Sequence, residues 1–110
     1  MNVLEAAEKM GLQVVVAGNG AERQIDHIYC GDLLSMVMGR AQENDAWITV
    51  MGNINAIAVA VLADVSCMIL VENMQLDDAS KEKAEEQGVC VLRSELPAFE
   101  IAVKLAALAL

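Results

Sequence analysis

Basic residues are scarce in this 110-residue chain: 7 Lys and Arg stand against 16 Asp and Glu, for a formal charge of −9. A surface of that sign repels the phosphates of a duplex, so nucleic acid is excluded as a partner. Histidine occurs once, at His27, and the cysteines Cys30, Cys67 and Cys90 form no CxxC pair. Disulfide frameworks and zinc sites need closely spaced ligands. Three separated cysteines in or beside apolar runs read instead as small buried hydrophobes. His27 and Cys30 are three residues apart on a predicted strand, which puts them on opposite faces and removes them as a metal pair. No metal is expected. The opening MNVLEAAEKM has acidic residues where a secretory signal carries basic ones, so a cytoplasmic location is expected.

Phosphate-binding motifs are lacking too. There is no GxxxxGK[ST] and no GxGxxG, and Gly18-Asn19-Gly20 reads as a tight turn. An enzyme would need a nucleophile with its base, a carboxylate pair in a cleft, or a metal cluster. No Ser or Cys stands in an activating motif, and most carboxylates fall at helix starts, in loops, or along the solvated run of residues 77–86. Asp32 reads as the cap of a helix and Asp64 as the polar end of another. The chain therefore offers no catalytic residue and no cofactor site.

What is present is apolar: 56% of the residues, enough to fill the core of one domain over residues 1–110. Residues 2–10 pattern as a helix with Leu4, Ala7 and Met10 inward, ended by Gly11. Strands are predicted at 14–16 and 25–30, lying near each other. A helix over 33–41 starts at Asp32. Then come a strand at 47–51, a helix at 56–63, a strand at 67–71, a helix at 77–87 stopped by Gly88, a strand at 89–92 and a last helix to Leu110. This alternation points to a three-layer α/β/α domain with a mainly parallel sheet.

Two helices are apolar around most of their circumference. In residues 97–110 only Glu100 and Lys104 are polar after the proline, and the segment is shorter than the roughly 20 apolar residues of a bilayer span. No membrane association is expected. A small domain has few fully interior helix positions, so self-association is expected, a homodimer burying part of Phe99, Val103, Ala106 and Leu110.

The stretch WITVMGNINAIAVAVLADVSCMIL breaks at Gly52-Asn53-Ile54-Asn55 between a strand and a helix. Gly52 permits an unusual backbone angle and Asn53 or Asn55 can cap the helix. The turn also follows the carboxyl end of a sheet strand, where open α/β sheets bind ligands. Both readings, structural turn and ligand contact, stand. With the next strand's loop beside it, Gly52, Asn53, Asn55, Glu72 and Asn73 are the candidate ligand-binding residues, and Ser94 and Glu95 close a third side.

From CGDLLSMVMGRAQENDAWITVMGNINAIAVAVLADVSCMILVENMQLDDASKEKAEEQGVCVL onward the order of segments resembles a DRTGG domain. The resemblance covers nearly the whole chain. That family includes the middle module of some bacterial phosphate acetyltransferases and is similar to the N-terminal domain of HPr kinase/phosphorylase. It implies an α/β domain without catalytic activity, regulatory or ligand-sensing, often beside other domains; a standalone member is expected here. Where the family motif reads G-D-R this chain has Gly52-Asn53-Ile54, and where it reads T-G-G this chain has Val71-Glu72-Asn73. A later D-T-Y is matched poorly by Glu95-Leu96-Pro97. An Arg able to meet an anion is missing and a carboxylate has entered. Together with the apolar helices, the resemblance leads to the expectation of a non-enzymatic regulatory or ligand-sensing homo-oligomer, its ligand, if it has one, neutral and polar or cationic. The alternative it leaves is an interaction module that docks on a cytoplasmic enzyme or kinase and takes no small molecule.

Overall fold

The computed structural model describes residues 1–109; Leu110, expected at the dimer contact, lies outside them. Helix α1 (Val3–Met10) begins with a capping box: Asn2 Oδ1 accepts from the Glu5 N–H at 2.8 Å, and Glu5 Oε1 accepts in return from the Asn2 N–H. Gly11 ends it at φ 68°, a left-handed value that glycine adopts without steric cost. The inward face differs from the expected one. Val3, Ala6 and Ala7 are buried, while Leu4 is exposed and Met10 only half-buried. The first-turn N–H groups of Val3 and Leu4 donate to the carbonyls of Arg23 and Ala21 at 3.0 Å, and this anchor sets the rotation of the helix.

The remaining elements are β1 (Gln13–Val16), β2 (His27–Cys30), α2 (Leu34–Arg40), β3 (Asp45–Thr49), α3 (Ile54–Ala63), β4 (Cys67–Leu70), α4 (Asp78–Gln87), β5 (Val91–Arg93) and α5 (Ala98–Ala109). They form one sheet in the order β1-β5-β4-β3-β2, in which β2 to β5 are parallel and β1 runs antiparallel to β5. The expected mainly parallel sheet is found, but the expected closeness of β1 and β2 is not: they are opposite edges. The connection over residues 17–26 makes this geometry reachable. Ten residues extend to about 33 Å, and four strand spacings amount to only about 19 Å. Gly20 passes against the Ser66 carbonyl, and Arg23 grips Asp64 Oδ1 at 2.9 Å, the Asp64 carbonyl at 2.8 Å and the Val65 carbonyl at 3.1 Å.

Alternation along the central strands builds two apolar layers. Ala46, Ile48, Cys67, Ile69 and Leu92 face Val3, Ala6, Ile101 and Leu105 of α1 and α5. Trp47, Met68, Leu70 and Val91 face Val37, Ile57, Ala60 and Ala84 of α2, α3 and α4. The architecture is a three-layer α/β/α domain. Among the described residues no helix is long and apolar enough to cross a membrane.

The cysteines divide. Cys67 and Cys90 are buried as expected, and burial pushes the Cys90 thiol up to about 11 and the Cys67 thiol well up. Cys30 is exposed, against expectation, because it ends an edge strand with no neighbour on its outer side. Desolvation against the strand, then the nearby Asp32 charge, raise its pKa. The thiolate is the reactive form. One thiol per native chain should therefore react with a disulfide reagent, at a rate that climbs as pH rises past the usual thiol range. Replacing Cys30 with Ser should abolish that phase; a second fast thiol would show that β4 or β5 opens.

Candidate functional site

Because β2 to β5 are parallel, the loops that follow them meet along one carboxyl edge of the sheet. After β2, Asp32 does not cap α2; the N-cap position is Leu33, without a side-chain hydrogen bond. Asp32 stands one residue too early for that role and turns to the free donors at the end of β3. Its Oδ1 accepts from Thr49 Oγ1 at 2.8 Å and from the Val50 N–H at 3.0 Å. This contact also explains why β3 stops at Thr49 and not at the expected Met51: the Val50 N–H goes to a carboxylate and not to a strand carbonyl.

After β3 the chain turns at Gly52. The glycine is there for space, not for a left-handed angle, since only Gly11, Gly18 and Gly88 have positive φ. A Cβ at Gly52 would lie 2.7 Å from the Gln75 carbonyl oxygen, so the turn and the loop after β4 touch backbone to backbone. Asn53 caps α3, its Oδ1 accepting from the Ala56 N–H at 2.8 Å. Asn55 is exposed in the first turn of α3.

After β4, Glu72 and Asn73 take left-handed angles, φ 58° and 59°. Asn tolerates that region; Glu does so rarely. Both are held there by the loop after β5: the Glu72 N–H donates to the Leu96 carbonyl at 2.9 Å and the Asn73 N–H to the Ser94 carbonyl at 3.1 Å. Ser94 donates its own N–H to the Leu70 carbonyl at 2.8 Å. Of the candidate residues, Gly52 meets the loop that carries Glu72 and Asn73, and those two meet Ser94. The Asn53 oxygen is occupied as a cap, and Asn55 stands apart on its helix.

Arg93 was not among the candidates, yet it is the cation at this edge. Its Nε donates to the Met74 carbonyl at 3.1 Å, its Nη1 to Gln13 Oε1 at 3.0 Å, and its Nη2 to both the carbonyl and the side-chain oxygen of Asn73. Every one of these acceptors is neutral. The edge thus carries a guanidinium that the missing G-D-R arginine had seemed to remove, supplied from β5. Its one sequence signal is a lone Arg closing the apolar run VCVLR.

The fold and this edge define a class, a small doubly covered α/β domain whose parallel strands gather their loops at one side. The chain belongs to the DRTGG domain family, whose model matches residues 5–108. It is similar in structure, with a TM-score of 0.69 at 10% sequence identity, to the CBS and DRTGG domains of the regulatory region of Clostridium perfringens pyrophosphatase, complexed there with the activator diadenosine tetraphosphate. The match covers 94% of this chain and 45% of that one, so this chain spans less than half of the length of its relative. At that identity the likeness shows the fold alone. No curated protein matches the sequence.

Proposed function

We propose that this chain is a non-enzymatic regulatory domain that senses a small ligand at the carboxyl edge of its sheet and works as a homodimer. The observation that carries the reading is the locking of the loops after β4 and β5: Glu72 and Asn73 are held in left-handed angles by backbone bonds to Leu96 and Ser94. Unfavourable angles persist where surrounding structure over-determines them, and they cluster at ligand clamps and switches. A ligand that moved one of these loops would move both. Membership of a family whose DRTGG domain forms part of a regulatory region in the pyrophosphatase supports the same reading. Gly52, Glu72 and Asn73, which the loops bring together, form the centre of the ligand-facing set, with Asn53 and Asn55 on its α3 side, in the cytoplasm. The ligand is neutral and polar or cationic, because Glu72 offsets the attraction of the α3 amino end for anions.

Titration with AMP, ATP and acetyl phosphate, followed through backbone amide shifts, tests the ligand class. The expected result is no saturable shift at Gly52, Asn53, Asn55 or Glu72 at micromolar nucleotide. Saturation there would replace this reading with a phosphate sensor.

Assembly is tested separately. On α5, Phe99 is 77% and Val103 52% exposed, with half-buried Ala106 one turn further along the helix. Burying that strip is worth about 25 cal/mol per Å² of apolar surface. Val103→Glu is a surface change in a monomer, but in a dimer it places a charge in an apolar contact. Sedimentation should show a dimer for the native chain and a monomer for the variant. A native monomer at micromolar concentration would remove the homodimer.

A second reading has its own observation. The outward side of α3 exposes Ile54, Val61 and Leu62, the last at 70%, which suits docking on a cytoplasmic enzyme or kinase. Leu62→Glu would weaken such a complex and leave the dimer intact.

A further inference from the structure

We propose that the cleft where β5 ends beside the close of α1 binds a small aliphatic α-amino acid as its zwitterion; this rests on the carboxyl edge being ligand-sensing and names the ligand. The cleft has a volume of about 360 Å³, with Arg93, Glu95, Gln13, Gly11, Met10 and Leu96 in its wall. Ligand pockets begin at about 300 Å³, so this one takes a small molecule.

Its charges are opposite and unspent. Arg93 and Glu95 share one cleft without pairing, for the ion pairs among the described residues are Arg23–Asp64, His27–Asp45 and Lys83–Glu86. A guanidinium has five N–H donors. Four are engaged in Arg93, all by neutral oxygens, so among the described residues its positive charge has no partner and one Nη1 hydrogen remains. A ligand carboxylate supplies the missing counter-charge, in the contact that Arg favours most, and the amide nitrogen of Gln13 stands beside it as a further donor.

The cleft wall carries negative charge as well. Glu95 contributes a carboxylate, and α1 ends at Met10 and Gly11, where the helix dipole places partial negative charge. An ammonium fits there. Met10 and Leu96 are half-buried apolar surfaces against which an aliphatic side chain packs. A phosphate would gain Arg93 but face Glu95 and the helix end, so this polarity selects against it.

The 110-residue chain, labelled for amide spectroscopy, is titrated with L-valine, with isovalerate, which lacks the amine, with isobutylamine, which lacks the carboxylate, and with inorganic phosphate. Valine is expected to give saturable shifts at Gly11, Gln13, Ser94 and Glu95, with each half-ligand at least about tenfold weaker. Glu95→Gln, an exposed change that leaves the loop bonds in place, should bring valine down to the affinity of isovalerate. Arg93→Lys, which keeps the charge and loses the fork, should weaken valine and isovalerate together. The absence of saturation by about 10 mM valine, equal binding of valine and isovalerate, or phosphate binding as tightly as valine would each overturn the site. Valine shifts confined to Gly52, Asn53 and Glu72 would overturn it while leaving the sensing edge standing.

Discussion

Replacement of Trp47 by Ala is expected to lower stability by about 3–5 kcal/mol, the range for large aromatic side chains removed from a packed core. Trp47 is fully buried in β3, the strand between β4 and β2, and packs in the layer formed with α2, α3 and α4. Its Nε1 also donates to the Gly31 carbonyl at 2.9 Å. That bond ties the loop after β2 to β3, and Asp32 in the same loop holds Thr49 and Val50. The substitution therefore opens a cavity and loosens the β2 loop together. A domain of this kind has about 5–15 kcal/mol in total, so the loss takes a large share of it and the urea midpoint should fall well below that of the native chain. The measurement is urea unfolding followed by circular dichroism, since the sole tryptophan is gone. Trp47→Phe should recover most of the loss, leaving about 1–2 kcal/mol for the hydrogen bond and the smaller ring. A loss below about 1.5 kcal/mol for Ala would show that the surrounding helices collapse into the space.

Local signals carried the element list well. Gly11 and Gly88 both end helices at left-handed angles, Asn53 caps α3, and Asp77 caps α4 by accepting from the Ser80 N–H at 2.7 Å. Each is a short-range contact that residue type and spacing predict. Strand order is different, because pairing depends on partners far apart in the chain. Gln13 pairs with Arg93 and not with any part of β2, and nothing within either segment distinguishes the two choices. The same holds for Asp32. A carboxylate ahead of an apolar helix reads as a cap, and only the tertiary arrangement brings Thr49 and Val50 closer. Cys30 reads as buried until β2 proves to be an edge.

The candidate site follows the same division. That loops after parallel strands share one edge is a rule of the fold class, so Gly52, Glu72, Asn73 and Ser94 were legible as neighbours. The purpose of Gly52 was not, since the approach of the Gln75 carbonyl is invisible in sequence. Arg93 was missed because the family motif places its arginine at Ile54. The cation stands two strands away, on β5, and reaches the loop through Asn73.

The same substitution, Gly to Ala, should act with opposite sign at two places. Gly20 lies in the connection that crosses the amino edge, and a Cβ there would fall 2.2 Å from the Ser66 carbonyl oxygen and 2.8 Å from Cys90 Cβ. Its φ is not in the left-handed region, so the obstacle is space alone. Neither obstacle is the free end of a flexible side chain: one is backbone in front of β4, the other the first side-chain carbon of a buried cysteine. Something must move by about 1 Å, and Arg23, whose N–H donates to the Gly20 carbonyl at 2.9 Å, moves with it. Overpacking a closed site costs about 1–3 kcal/mol and at times more; loss of the Arg23 contacts places Gly20→Ala at or above the upper end. Gly39 sits in α2 with nothing within 4 Å of its Cβ position. There Ala removes backbone freedom from the unfolded chain, and the variant should gain about 0.5–1 kcal/mol. Urea midpoints of both variants against the native chain give the comparison. Gly20 is at the edge opposite the loops, so the folded fraction of its Ala variant should keep the native response of Gly11, Ser94 and Glu95 to valine. A loss of that response in a chain that is still folded would show that the two edges of the sheet are coupled.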